Sequence, residues 1–426
     1  VRTPNCIKIS STKNKRMWLY RFLLVVATPF IARRIWRFHK RYDNYRVAEA
    51  LGKWGAMKAD LWLHCASVGE VLAAKTLITQ WLTQHPNKTL LVTTVTPTGE
   101  AQVQKWFSGR VQHRYLPLDH TVCVQRALKQ LSCTQLAIIE TELWPNLLKA
   151  AKAKGMTIQV INARLSERSA KRYEKFGFFS RSLMALPDRF LAHAATDAER
   201  FKALGATGVP VVGNIKFDIS PPEDSEIAVW RQAIVPKNEF VWIAASTHEG
   251  EDLQFLAAHQ ALLQQVPDAK LILVPRHPER FEAVYKLSQQ QGFQTVRRSD
   301  DQLDTWAQAN VLLGDSMGEM MRYFAISDVV FVAGSMIERG GHNPIEPAIL
   351  SKPVIVGAHT FNFADITESL IHDGGAVRVR SEGELVDQLL LLQDLTQRQT
   401  MGQKALSNAK ANQGALARVL QYLDIS

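Results

Sequence analysis

One spacing recurs along the chain: a hydroxyl or amide residue stands three positions before a glutamate at Ser67/Glu70, Thr196/Glu199, Ser246/Glu249, Ser316/Glu319 and Asn343/Glu346. Each pair follows an apolar run, as in a capping box, where the first side chain caps the N3 amide of a helix and the glutamate reaches back. Capping accounts for such a pair without any chemistry. Thr196/Glu199, in a plain polar context, is read as a cap alone, whereas the other pairs have neighbours that a cap does not need.

In SVGE (67–70), Gly69 lets another molecule approach the backbone closely at a helix start, where unpaired N–H groups and the dipole favour an anion. Glu70 there can act as general base on a hydroxyl; the dipole lowers its pKa, so it works by position. GSMIERGGHNPIEPA (334–348) joins a glycine-rich loop to a helix start with Asn343 as N-cap, Pro344 at N1 and Glu346 at N3. That is a phosphate cradle with a carboxylate able to take a ribose diol, or a tight strand-to-helix turn. GDSMGE (314–319) supplies a second helix start. In PRHPER (275–280), Arg276 can hold a phosphate or carboxylate through two bonds, although a surface arginine is the ordinary alternative. Glu140 and Glu142 close an apolar strand in IIETELWPN, where a carboxylate can stabilise an oxocarbenium-like transition state, and Lys216 in GNIKFD can meet an anion. The sequence has no Walker A, GxSxG, HExxH, zinc-spaced Cys/His cluster or Asp-x-Asp. Neither metal nor cofactor is expected.

These residues depend on strand ends to hold them. LWLHCA, LLVTTV, QLAIIE, TIQVINA, RFLAHA and VPVVGN read as strands separated by helices such as VLAAKTLITQWLTQ and PNLLKAAKAKG, the rhythm of a parallel α/β sheet. DISPPEDSE (218–226) breaks the rhythm as a linker, and FVWIAAS, KLILVP, NVLLGD, DVVFVAG, PVIVG and AVRV restart it. The expected fold is α/β with two Rossmann-like doubly wound domains, 47–217 and 227–426, the second closed by a helical tail. Their strand carboxyl ends should face a shared cleft.

The charge is uneven. Of 51 Lys and Arg and 40 Asp and Glu, residues 1–46 hold 12 basic residues and only Asp43, which leaves 39 of each sign in 47–426. A groove-tracking nucleic-acid binder would carry its excess on the folded body, so no nucleic-acid partner is expected. The 11 uncharged residues FLLVVATPFIA (22–32) are too few to cross a bilayer, and Pro29 weakens the last turns. Arg33, Arg34, Arg37, Lys40 and Arg41 follow, with Trp18, Trp36, Tyr42 and Tyr45 as interfacial aromatics. Residues 1–46 therefore read as a monotopic anchor on an anionic membrane, or as a basic helix packed on the body. Cys6, Cys65, Cys123 and Cys133 form no CxxC pair, and the body reads as cytosolic.

SVGE, VTTVTPTGE, IIETELWPN, NARLSERS, GNIKFD, ASTHEGE, LVPRHPERF, GDSMGE, ERGGHNPIEPA and HTFNF follow one another over nearly all of 17–426. In this order they resemble the bacterial 3-deoxy-D-manno-octulosonic acid (Kdo) transferase family, of the two-domain GT-B fold. The resemblance implies inverting transfer of Kdo from CMP-Kdo to the 6′-hydroxyl region of the lipid A precursor (lipid IVA) in lipopolysaccharide synthesis, on the cytoplasmic face of the inner membrane. It implies Glu70 as general base, with Glu140 and Lys216 stabilising the transition state. Ser67, Gly69 and Glu142 are expected among the substrate-binding residues. Pro275, Arg276, Met317, Gly318, Glu319, Asn343, Pro344, Ile345 and Glu346 would hold CMP. The sequence departs from the family at IIE before TELWPN and at Asn214, where serine is common. A soluble GT-B nucleotide-sugar epimerase and a non-catalytic lipid-binding protein are the alternatives: the first has no use for FLLVVATPFIA, the second none for HNPIE or PRHPER.

Overall fold

The computed structural model describes residues 12–42, 45–219, 221, 224–235, 239–300 and 303–424. The chain divides into two units: one runs to Asp218 and resumes at Gly414, and the other spans Ile219–Gln413. Part of the expected linker, and residues 1–11, 43 and 44 of the expected anchor, lie outside the described residues. A helix already begins at Asp224, within the segment read as linker.

The first unit opens with a 30-residue helix, α1 (Thr12–Arg41). Its sheet contains β1 (Leu61–His64), β2 (Leu90–Thr94), β3 (Gln112–Tyr115), β4 (Gln135–Ile139), β5 (Thr157–Ala163) and β6 (Arg189–Ala192). They are all parallel, in the order β3-β2-β1-β4-β5-β6. Loops that leave the carboxyl ends of β1 and β4 therefore depart in opposite directions, and ligands of doubly wound sheets bind at that crevice. Helix α2 (Val68–Gln84) follows β1, while α3 (Glu167–Lys175) and α4 (Phe178–Met184) follow β5. Gly177 joins α3 to α4 with φ of +45°, a left-handed turn that suits a residue without Cβ.

Two strand readings need correction. VPVVGN makes only one bridge, Val211 to Ala192, because Pro210 has no N–H to donate. Gln112–Tyr115 is a strand that the sequence did not announce: as a sheet edge it buries only alternate residues and carries no continuous apolar run. The chain's last helix, α5 (Ala415–Asp424), also packs differently from the expectation that the helical tail closes the second domain. Leu416, Val419, Leu420 and Leu423 form one stripe against Val71, Leu77, Ile78 and Trp81 of α2 in the first unit. The Asp218 carboxylate accepts the Gly414 and Leu416 N–H groups at 2.7 and 2.8 Å and so fixes the start of α5.

Helix α1 continues through Pro29, although the proline removes one ladder bond. Packing compensates: Tyr20, Leu24, Ala27, Ile31, Ile35 and Phe38, spaced three or four apart, are half-buried on the body. The Tyr20 hydroxyl donates to Asp119 at 2.7 Å and Arg21 donates to Asn146 at 3.0 Å. The rest of the helix points away, with Trp18, Phe22, Leu23, Val25, Val26, Phe30 and Trp36 exposed. Arg33, Arg34, Arg37, Lys40 and Arg41 are exposed beside them. Among the described residues no helix is long and apolar enough to cross a membrane.

The second unit holds β7 (Val241–Thr247), β8 (Lys270–Pro275), β9 (Thr295–Arg297), β10 (Val311–Leu313), β11 (Val329–Val332), β12 (Val354–Val356) and β13 (Ala376–Arg378). Their order is β9-β10-β8-β7-β11-β12-β13, again all parallel. The reversal lies between β7 and β11. Trp242, Ala244, Leu271, Leu273, Phe331 and Ile355 pack there against Phe255, Leu256 and Leu262 of the helix after β7.

Candidate active site

Ser67 caps α2, its hydroxyl accepting the Glu70 N–H at 3.4 Å. The Glu70 carboxylate reaches back one residue farther than a capping box requires: one oxygen accepts the Ala66 N–H at 2.5 Å and the other the Ser67 hydroxyl at 3.0 Å. Glu70 is only 6% exposed. Burial raises its pKa to about 7; the Ala66 and Ser67 hydrogen bonds oppose the rise, while Glu142 and Glu140 add to it. The expectation of a dipole-lowered pKa is thus reversed, because desolvation of a buried carboxylate outweighs a helix start. A pKa near neutrality suits a group that must be ionised yet still take a proton. A Cβ added at Gly69 would come no nearer to protein than 3.8 Å, from Ser67 Oγ, so internal packing does not require glycine there.

Across the β1/β4 reversal, Glu140 takes the left-handed conformation (φ +60°), while its N–H still reaches Ile161 O at 2.8 Å. Such a backbone costs a non-glycine residue about 1 kcal/mol or more, and it occurs where the surroundings hold it in place. Its carboxylate meets Lys216 Nζ at 3.0 Å. Two asparagines set that lysine: Asn162 Oδ1 accepts the Ile215 N–H at 3.3 Å, and Asn214 Oδ1 the Lys216 N–H at 3.0 Å. Asn214 therefore supplies an oxygen acceptor to the backbone of the lysine itself. Glu142 is half-buried, and burial and the Glu140 charge raise its pKa. The strand ends thus gather three carboxylates and one lysine. Sequence reasoning missed Asn162, whose signal was its place at the head of NARLSERS.

In the second unit Arg276 is exposed after β8, and among the described residues its guanidinium makes no hydrogen bond or ion pair. Arg280 of the same motif is occupied, paired with Asp252 and donating to Thr247 O at 2.9 Å. Arg276 lies near His248 and His342, whose rings meet Nε2 to Nε2 at 2.9 Å. Burial lowers both pKa values, that of His342 to about 4, and neighbouring cationic side chains add to the effect. Two neutral histidines beside a free guanidinium leave room for an anion.

Ser246/Glu249 is not a capping box. Ser246 is the left-handed end of β7 (φ +64°), and the next helix starts at Asp252. Glu251, which the sequence did not single out, is the anchor instead: its buried carboxylate accepts the Gly334, Ser335 and Met336 N–H groups at 2.8, 3.1 and 3.1 Å, and the His248 N–H at 3.0 Å. It holds together the loops that follow β7 and β11. Thr196/Glu199 is no cap either, since the helix begins at Ala195 and Thr196 lies within its first turn.

Asn343 Oδ1 accepts the Ile345 N–H at 3.1 Å and Asn343 Nδ2 donates to Glu346 at 3.1 Å, with the helix starting at Ile345 after Pro344. Burial raises the Glu346 pKa, against the Asn343 bond. Pro275 is buried at the end of β8, while Met317 and Gly318 are exposed on the loop after β10. The Glu319 carboxylate is taken by Arg298, Arg322 and Ser316, so the free groups this loop offers a ligand are mainly backbone. Gly340 has a φ of +90°, a conformation that favours glycine, and an added Cβ would also crowd the exposed side chains of Phe361 and Asn362.

Residues 36–219 match the family model described as 3-Deoxy-D-manno-octulosonic-acid transferase (kdotransferase), and residues 232–407 that of glycosyl transferases group 1. The 3-deoxy-D-manno-octulosonic acid transferase of Haemophilus influenzae is 37% identical over 425 residues, covering 96% of this chain and 98% of its own. That of Bordetella pertussis is 34% identical over 424 residues, covering 95% and 98%. Among solved structures, UDP-GlcNAc 2-epimerase from Neisseria meningitidis bound to UDP-GlcNAc gives a TM-score of 0.57 at 14% identity, over 87% of this chain and 100% of that one. At that identity the likeness is one of fold alone.

Proposed function

The chain belongs to the 3-deoxy-D-manno-octulosonic acid transferase family and is a glycosyltransferase, and from that premise we propose that it moves Kdo from CMP-Kdo to the lipid A precursor with inversion at the anomeric carbon. Glu70 takes the proton of the acceptor hydroxyl as its oxygen bonds to the anomeric carbon. The bond to the CMP phosphate breaks on the opposite face, and CMP leaves with the electron pair. Glu140 offsets the positive charge that spreads over the sugar ring, while Lys216 balances the cluster of carboxylates. The observation that carries this reading is a buried glutamate with a pKa near 7 beside a paired Glu140 and Lys216 at the strand reversal.

The second unit binds the nucleotide: Arg276 holds its phosphate, the 317–319 and 343–346 segments surround it, and Glu346 takes the ribose diol. In Arg276→Ala, CMP binds roughly 10- to 100-fold more weakly, as expected for the loss of a charged hydrogen bond, and Arg276→Lys recovers only part, since lysine keeps the charge without the fork. Calorimetric titration measures it. Equal affinity in all three proteins moves the phosphate elsewhere.

We place α1 on an anionic bilayer at the cytoplasmic face of the inner membrane. Its inner stripe is occupied by the body, while its outer face presents apolar residues and cations together. The two alternative functions predict different chemistry. Incubated with CMP-Kdo, the protein releases CMP only when acceptor lipid is present, and the lipid gains the mass of Kdo. An epimerase would leave the acceptor unchanged, and a lipid-binding protein would release no CMP.

A further inference from the structure

NARLSERS opens a segment to which the proposed reaction assigns no role. Residues 164–182 carry Arg164, Arg168, Lys171, Arg172, Lys175 and Arg181 against Glu167 and Glu174, an excess of four positive charges in a body that is balanced only as a whole. The segment folds as the α3–α4 hairpin. At its turn, on either side of Gly177, Phe176 is 65% and Phe178 44% exposed. Lys171 is held by Glu167 at 2.6 Å. Arg168, Arg172, Lys175 and Arg181 are exposed and have no ion pair among the described residues.

Two neighbouring phenylalanines in water at the tip of a helical hairpin are unfavourable for a body that only needs solubility. With unpaired cations around them they match the boundary of an anionic bilayer, where aromatic rings enter the headgroup layer and guanidinium groups meet phosphates. The position fits as well. Phe179 of α4 packs against Tyr20 of α1, with ring centroids 6.1 Å apart, so the hairpin continues the surface assigned to the membrane. On its inner side Tyr173 of α3 packs with Leu143 against one apolar cluster, next to Glu142, whose charge together with burial raises the pKa of the tyrosine.

We propose that the α3–α4 hairpin is a second membrane contact, with Phe176 and Phe178 entering the interface of an anionic bilayer and Arg168, Arg172, Lys175 and Arg181 meeting its lipid phosphates. This rests on the reading that α1 lies on that surface. With α1 on one side and the hairpin on the other, the protein is fixed in orientation, and the strand ends that carry Glu70 and Glu142 stay beside the lipid headgroups.

The test uses the full chain and vesicles of phosphatidylglycerol and phosphatidylethanolamine at physiological salt. Wild-type protein floats with the vesicles, and trypsin cuts after Lys175 at least tenfold more slowly when vesicles are present. Phe176→Ser with Phe178→Ser lowers partition at least tenfold, and Phe176→Trp with Phe178→Trp keeps it. Unchanged melting temperatures show that the fold is intact, as the exposure of both rings leads one to expect. Equal partition of the serine protein and the wild type, with cleavage after Lys175 unaffected by vesicles, overturns the hairpin contact while leaving α1 as the anchor. Wild-type protein that does not float at all overturns the α1 reading and the hairpin with it.

Discussion

Turnover of Glu70→Gln falls roughly 10²-fold or more, while its affinity for CMP stays at the wild-type value. Glutamine can keep the local structure: its carbonyl oxygen accepts the Ala66 N–H that Glu70 now takes, and its amide faces the Ser67 hydroxyl. It cannot take the proton of an acceptor hydroxyl. Glutamate and glutamine thus differ in chemistry but hardly in capping, whereas Glu70→Ala would remove both functions and decide nothing.

The same substitution has a signature in stability. Unfolded, Glu70 loses its proton near the ordinary carboxylate pKa of 4.5; folded, it keeps the proton up to about 7. Between those values the folded state binds more protons, so this residue makes the wild type progressively less stable as pH rises through the window. Glutamine has no such dependence. The melting temperature of Glu70→Gln should therefore gain on the wild type from about pH 4.5 to 7 and hold a constant margin above it. In wild-type enzyme the same group should make activity rise with pH through about 7. Measurements of kcat, CMP affinity and melting temperature against pH decide the matter. Near-normal turnover in the glutamine protein returns Glu70 to a capping role and leaves Glu142 or Glu140 as candidate base.

Buried strands were legible because a strand covered on both faces must read as a continuous apolar run, as LWLH, QLAII and VWIAAS do. One edge of each sheet was not: Gln112–Tyr115 and Thr295–Arg297 are strands by virtue of the neighbour that pairs with them. The attachment of α5 was hidden for a related reason. Its stripe announces a buried face but not which sheet covers it, and the deciding contact is Asp218, nearly two hundred residues earlier.

At the candidate site the spacing rules found Ser67, Glu70, Asn343 and Glu346, since each makes its first contact within four residues. Glu251 escaped because three of its four hydrogen bonds cross from the β7 loop to the β11 loop. The error about the Glu70 pKa has the same origin. A dipole is local and can be read from a sequence, whereas desolvation is the sum of everything packed around the group.

Lys216→Met should lower turnover by about 10²-fold, corresponding to roughly 2.7 kcal/mol of transition-state stabilisation, with CMP affinity unchanged. Stability should hardly respond, because both side chains of the Lys216–Glu140 pair are about one third exposed and such pairs contribute little. Catalysis should respond because the lysine is the cation bonded to Glu140, whose charge in turn acts on Glu70 and Glu142. Without it Glu140 stands unpaired beside Glu142, in a left-handed conformation that Lys216 no longer helps to hold. If lysine and glutamate act as one unit, their losses do not add. Glu140→Gln combined with Lys216→Met should then be no slower than Lys216→Met alone, since removing the second charge also removes the repulsion left by the first. Single-turnover rates for the wild type, both single variants and the double variant measure that coupling. Additive losses would mean that Lys216 contacts the reacting sugar or phosphate independently of Glu140. Near-normal turnover in Lys216→Met would remove the pair from the mechanism and leave Glu70 to act without it.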